Sequence, residues 1–425
     1  MTRVLWLFLS VGLLVLAGSS ARAEASPLLR VDGPRATVVD DPSIAAAGAL
    51  SEPGVGRTPA AASRGPRGGA RAARRRGPTV SEVLARADRR GSIRASEQSG
   101  YRAIYSRAVR TRRSLTPGRA GELGGVIANL RGIAARGRLT PSRMPVLFLM
   151  LHRNTDYWRW HGAPADRSSI EFAGSPLVFQ YLRGEGLHFN SLATAGRANY
   201  FVRACSSNPP AKRNGTRCTL GRTLLDELTR LAAQRSGFTA WEYYVDFDGG
   251  LPPWSSGIAQ GTAIQAFTRG SQVYREPAYL ATAGEAVGAF APRPPDGHRL
   301  ALADGGVHYL IYSFAPRLRV LNAFAQALNG IHDYARVSGS SEASALFDAG
   351  HRGLQHEIRR YDTGSWSRYS LRGYESSVDY HRLARDTVEG LCQRTSTDVY
   401  CNTARRFTSY LRRRGYSTEP GSLGL

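Results

Sequence analysis

Four short catalytic signatures are missing from this chain of 425 residues. There is no G-x-S-x-G elbow, no P-loop, no H-E-x-x-H pair and no glycine-rich dinucleotide fingerprint. Their absence removes most motif-dependent hydrolase, nucleotidase and redox readings. Glycosidases carry no such signature and stay open. Lysine is nearly absent as well: Lys212 is the only one, so almost all of the net charge of +24 is arginine. Part of that bias reflects GC-rich coding. Guanidinium groups nevertheless pair with carboxylate and sulfate in a bidentate fashion. Beyond the first residues, no apolar run is long enough to span a bilayer. There are only four cysteines, with no C-x-x-C spacing, which disfavours zinc. They fall into two local pairs, Cys205 with Cys218 and Cys392 with Cys401. Local pairing is the simplest of three formal connectivities.

The first residues have the form of an export signal: Arg3, the apolar stretch Val4 to Leu16, and the small-residue site Ala21-Arg22-Ala23. Residues 1–23 are therefore predicted to be a signal peptide cleaved near Ala23. The mature chain would be secreted or extracytoplasmic, a setting that permits disulfides. Export makes nucleic acid a poor partner and an acidic polysaccharide a good one. Residues 24–78 are rich in Ala, Gly, Pro and Arg, and read as a disordered basic tether. A helical segment over 79–140 and a main domain over 141–415 follow. The pattern leaves a homodimer open.

The ordered part reads as mainly α. Leu224, Leu225, Leu228 and Leu231 recur at helical spacing, as do Leu321, Phe324, Leu328 and Ile331, and then Leu346, Gly350, Leu354 and Ile358. Ser340-Ser341-Glu342 marks a helix start. Tyr380, Leu383 and Leu391 share one face, followed by Phe407, Tyr410 and Leu411. Helix pairs with short connections predict an α/α toroid-like domain with short β-strands or hairpins. Trp241 to Phe247 and Val307 to Phe314 are aromatic and β-branched, and read as strands. His351 and His356, five apart, lie off a common helical face and read as solvated or core residues, not metal ligands. No cofactor is called for. Asp246 and Asp248 form at most a weak structural calcium site, and solvated turn residues are the plainer reading.

Three segments carry a resemblance: EYYVDFDGGLPPWSSGIAQG from Glu242, YSFAPRLRVLNAFAQALNGIHDY from Tyr312, and YDTGSWSRYSLRGYESSVDYH from Tyr361. A fainter one, FQYLRGEGLHFNSLATAGRAN, starts at Phe179. Their order and spacing resemble the C-terminal region of the D-glucuronyl C5-epimerases. The resemblance implies an isomerase that inverts uronate C5 through tyrosines. It assigns catalysis to Tyr312, Tyr369 and Tyr380, and substrate contact to Arg372, Asn322 and His381. Trp254, in the P-P-W stretch, reads equally as a surface on which a sugar could stack and as a buried tryptophan. Two departures stand out. Ile311 occupies the place of a family glutamate, and Ser370 that of an aspartate.

The chemistry explains the residue types. Inversion needs a base on one face of the sugar ring, an acid on the other, and stabilisation of a doubly charged intermediate. Tyrosine titrates near 10 when free, so a guanidinium such as that of Arg372 would favour its phenolate. Taken alone, each tyrosine is more simply a core residue with its hydroxyl at the rim. Two other functions fit the same fold: a polysaccharide lyase, which takes the same proton and then expels the C4 substituent, and a non-catalytic acidic-glycan binder or envelope protein.

Overall fold

The computed structural model describes residues 26–44, 77–209 and 213–419; the signal peptide expected over 1–23 lies outside them. Four helices come first: α1 (Val80–Arg89), α2 (Ala95–Arg113), α3 (Pro117–Ala135) and α4 (Met144–Trp160). Thr79 starts α1 with a capping box, its hydroxyl accepting from the Glu82 amide while Glu82 accepts from the Thr79 amide. α4 packs on α2 and α3.

A sheet follows, but its first two strands come from the N-terminal side. β1 (Ser26–Asp32) and β2 (Arg35–Asp41) form a hairpin, and β1 pairs in parallel with β3 (Ser169–Phe172). β4 (Ser175–Leu182) and β5 (Gly186–Phe189) complete the order β2-β1-β3-β4-β5. The tether expected over 24–78 is thus corrected for residues 26–41. Leu28 and Val31 are buried, Gly33 takes the positive φ that the turn needs, and buried Arg197 ties Asp41 and Glu171 together. Residues 45–76 lie outside those described.

The rest is built from helical hairpins: α5 (Ser191–Ser206) with α6 (Thr216–Leu231), α7 (Gly257–Tyr274) with α8 (Pro277–Val287), α9 (Leu321–Ser338) with α10 (Ser341–Glu357), and α11 (Val378–Thr395) with α12 (Asp398–Arg413). α5, α7, α9 and α11 lie side by side as an inner layer, each backed by its partner. The patterning explains this. α9 is buried at every position from Leu321 to Ile331, and α7 from Gly257 to Thr268, whereas α6 and α12 bury one face only. The leucine face expected at 224–231 is that of α6, and Ser340 caps α10 by accepting from the Ala343 amide. The architecture is mainly α, an α/α toroid-like arc.

Polar contacts set the direction of the inner helices. Asn199 reaches Gln265 (2.7 Å), Gln265 reaches Asp333 (2.9 Å), and Arg394 clasps Asp333 (2.6 and 2.7 Å). Nearer the helix starts, Asn329 donates to the Thr387 carbonyl (2.9 Å). Position along one helix rises with position along the next, so all four run parallel and begin at the same end. α7 and α9 touch at Gly261 and Gly330; a Cβ on Gly330 would meet the Gly261 carbonyl.

The two aromatic stretches are not regular strands. β6 (Ala233–Arg235) pairs with β7 (Phe238–Ala240), and β8 (Arg299–Ala301) with β9 (Val307–Tyr309). Beyond β7, only isolated bridges form, Tyr243 with Trp254 and Phe247 with Gly250. Pro252 and Pro253 offer no N–H to extend a ladder. After β9, Leu310 still bonds to His298, and residues 311–313 bond instead to residues 255–257 at the start of α7.

Both local cysteine pairs are disulfides. They join α5 to α6 and α11 to α12 across sequence separations of 13 and 9 residues. For loops this short, chain-entropy arguments give about 2–3 kcal/mol each. A Cys205→Ser, Cys218→Ser double variant should lose that much in a denaturant titration under oxidising conditions.

Candidate active site

The helix starts of the inner layer carry an aromatic cluster distinct from the main core. It contains Tyr243, Trp254, Ile311, Tyr312 and Tyr369, with Phe247, Phe314 and Tyr380 packed against it. One tyrosine stands at each helix start. The Tyr243 hydroxyl accepts from the Leu192 amide at the head of α5 (3.2 Å). Tyr312 bridges Ser256, the N-cap of α7, and Tyr369 precedes Ser370, which bridges Val320, the N-cap of α9. Tyr380 lies in the first turn of α11, its amide donating to the Ser377 hydroxyl. Four positive helix ends therefore surround the cluster, and the Val320 N-cap has no side-chain acceptor to spend on the first turn of α9.

The three tyrosines marked by the sequence thus come together. Tyr369 and Tyr380 meet edge to face at 5.1 Å, and Tyr312 lies 5.2 Å from Trp254 and stacks on Phe314 at 5.3 Å. Asn322, the second residue of α9, is buried beside them, and its side-chain oxygen has no hydrogen-bond partner among the described residues. A buried orphan acceptor calls for a water or ligand donor. Arg372 sits exposed at the tip of the turn that follows Tyr369, and Tyr374 on the same turn is 86 % exposed.

Two of the expected contact residues are placed differently. Trp254 is buried: Tyr243 covers one ring face at 4.5 Å, and the indole N–H donates to the Val245 carbonyl. It forms the floor of the cluster and offers no open face to a sugar. His381 is also buried, stacked on Trp366 at 3.6 Å, with its ring nitrogens on the Ser367 hydroxyl (2.7 Å) and the Phe407 carbonyl (3.0 Å). It braces α11 against α12 and has no atom left for substrate. Both corrections have one cause: neighbours distant in sequence close over the rings.

Sequence reasoning missed Tyr243, Phe247 and Phe314, which wall the cluster. The alternation in EYYVDF was the signal for Tyr243 and Phe247. Burial pushes the Tyr243 hydroxyl up to about 12, which suits a structural phenol. Ile311 lies inside the cluster, 4 % exposed, so no carboxylate occupies that place. Of three neighbouring acids, Asp362 is held by Arg406 and the Tyr410 hydroxyl, and Glu375 by Thr363 and Arg414. Asp379 is exposed beside Tyr380, 3.7 Å from Arg382. Among the described residues, no group of three or more His, Cys, Asp and Glu could hold a metal ion, and no helix is long and apolar enough to cross a membrane. His351 bonds the Tyr400 hydroxyl, and His356 bonds Asp304.

Burial holds three histidines neutral: His188 and His381 fall to about 4, and His298 to about 3. Unfolded, each would titrate near 6.5. The unfolded chain therefore binds more protons below that pH. Stability should be flat above about pH 6.5 and fall steadily as pH drops toward 4. A urea series between pH 7.5 and 4.5 checks this; a midpoint that does not move would count against neutral burial.

Residues 235–409 match the family model described as D-glucuronyl C5-epimerase C-terminus. Among curated proteins, a D-glucuronyl C5-epimerase of Caenorhabditis elegans is 29 % identical over 180 residues, covering 38 % of this chain and 29 % of the worm protein. An uncharacterized protein of Methanocaldococcus jannaschii is 23 % identical over 169 residues, covering 38 % of this chain and 55 % of that protein. The chain thus spans well under two thirds of either relative. Among solved structures, a sugar epimerase from a ruminal bacterium aligns with a TM-score of 0.40 at 9 % identity, over 52 % of this chain and 60 % of its own. A cellobiose 2-epimerase from Bacillus thermoamylovorans aligns at 0.36 and 12 % identity, over 53 % and 61 %. Likeness at this level places no constraint on the reaction. All four tyrosines and the starts of α7, α9 and α11 lie within the matched stretch, and residues 235–409 resemble the C-terminal region of the D-glucuronyl C5-epimerases.

Proposed function

We propose that this protein inverts C5 of uronate units in an acidic polysaccharide, of the D-glucuronate to L-iduronate type, outside the cytoplasm. The observation that carries the reading is the convergence of Tyr312, Tyr369 and Tyr380 at the starts of three inner helices. A site for this reaction must bind an anion and hold proton-transfer groups near it. Helix N-termini supply the first requirement, and the phenols supply the second.

In this reading, one tyrosine oxygen, as phenolate, takes the C5 proton. The C5–H electron pair passes into the carboxylate and leaves a doubly charged intermediate. The hydroxyl of a second tyrosine then delivers its proton to the opposite face, and base and acid have exchanged roles. Tyr380 is one partner, and Tyr312 or Tyr369 faces it. Arg372 lies on a turn from which it reaches an incoming carboxylate, and the orphan oxygen of Asn322 accepts from a sugar hydroxyl or a phenol. With Ile311 apolar, the proton steps fall to the tyrosines alone.

The products separate the alternatives. Glucuronate-containing polymer incubated with the protein should yield L-iduronate on hydrolysis and chromatography. New ultraviolet absorbance from unsaturated uronate would indicate a lyase. Unchanged polymer with salt-sensitive binding would indicate a non-catalytic binder.

A further inference from the structure

The inner helices also end together, and there the structure holds a cavity of about 800 Å³. Its near wall, at Arg385, is five positions past Tyr380 on α11, and its far wall, at Arg394, is well away from the tyrosines. Tyr380 and Arg394 are fourteen positions apart on α11, about 21 Å along the axis at 1.5 Å per residue. One sugar cannot touch both ends.

The cavity wall is basic, and part of that charge complements the negative partial charge of the helix C-termini. Four arginines line it, Arg203 from α5, Arg269 from α7, and Arg385 and Arg394 from α11. Asp386 and Glu389 are the acids of the lining. Behind the wall, Asp333 serves two guanidiniums at once, Arg394 at 2.6 Å and Arg269 at 3.8 Å. Arg269 is also fixed by the Asn199 side-chain oxygen at 2.9 Å. Burial lowers the Arg269 guanidinium to about 10; Asp333 opposes the drop, while the charges of Arg394 and Arg203 add to it. Three like charges therefore feel one another around one opening, and an anion placed among them relieves that repulsion. Gln272 and Gln393 are exposed on the same wall. They offer the neutral donors and acceptors that sugar hydroxyls use. The volume is in the range of small-ligand sites.

We propose that this cavity is a second glycan subsite, which takes an anionic sugar residue of an oligosaccharide through its carboxylate or sulfate on Arg203, Arg269 and Arg394. The site stands apart from the tyrosine cluster and does not depend on the reaction proposed there.

The test uses equilibrium binding together with hydrogen exchange of the mature full-length protein. The probes are an unsulfated glucuronate-containing hexasaccharide, its sulfated counterpart, and inorganic sulfate as competitor. Binding should protect the C-terminal halves of α5, α7 and α11, and Arg203→Glu should raise Kd at least tenfold with loss of that protection. Arg203 is exposed, so its replacement leaves the fold intact. Arg269→Gln is the second variant and should weaken binding in the same direction. Preference for one hexasaccharide identifies the anion. Protection confined to residues 243–258 and 309–322, affinity unchanged in both variants, or no binding of either hexasaccharide would overturn the proposal. Because binding is read without turnover, a failed epimerase assay leaves this result interpretable.

Discussion

Tyr380→Phe is expected to cut C5 proton exchange by at least about 100-fold, the usual scale for loss of a general acid or base. The ring is retained, so its edge contact with Tyr369 at 5.1 Å persists and the fold should hold. Either Tyr312→Phe or Tyr369→Phe should behave likewise, since inversion needs a group on each face of the sugar. Tyr243→Phe is the informative contrast. That hydroxyl is buried, accepts from the Leu192 amide and titrates at about 12. Its loss should disturb the start of α5 and cost less than about tenfold in rate, with about 1 kcal/mol in stability. Rates measured by NMR, with thermal melts alongside, distinguish the two classes. Equal losses in all three variants would mean that the cluster is a packing unit.

The largest stability effect should come from Glu242. This carboxylate is fully buried and receives two bonds from Arg143 (2.6 and 2.9 Å), one from Arg235 (2.8 Å) and one from the Tyr244 hydroxyl (3.1 Å). Arg143 lies just before α4, while Arg235 also holds the carbonyls of Pro253, Asp296 and Pro295. The clamp therefore joins the N-terminal helices to the loop that presents Trp254. Glu242→Gln leaves the Arg143 guanidinium buried without a counter-charge, which costs about 3–5 kcal/mol. At roughly 2 °C or more per kcal/mol, the midpoint should fall by at least about 6 °C. The exposed pair Arg230–Glu227 is the control, worth under about 1 kcal/mol. If both variants melt together, the buried clamp is not what joins these parts.

Periodicity revealed the helices because their apolar residues recur at helical spacing, on one buried face in α6 (Leu224 to Leu231) and within a wholly buried stretch in α9 (Leu321 to Ile331). The tyrosine positions were legible only through the family resemblance, since each taken alone reads as a core residue with its hydroxyl at the rim. Trp254 and His381 misled because their exposure is decided by Tyr243 and Trp366, which only the tertiary fold brings over them. The β1–β2 hairpin was hidden by averaging. Gly33-Pro34 makes the turn between paired Asp32 and Arg35, but the arginine- and glycine-rich stretch after the hairpin dominates the composition. The cavity at the C-terminal ends had no signature, since its arginines come from three helices.

The central claim is that the tyrosine cluster moves a proton at C5. The most direct measurement is deuterium uptake at that carbon, with the wild-type mature protein and glucuronate-containing polymer in heavy water. Loss of the H5 signal without new ultraviolet absorbance is the expected result. An H5 signal that persists at full intensity on carboxylated and sulfated polymers alike, with the protein folded and binding them, would contradict it.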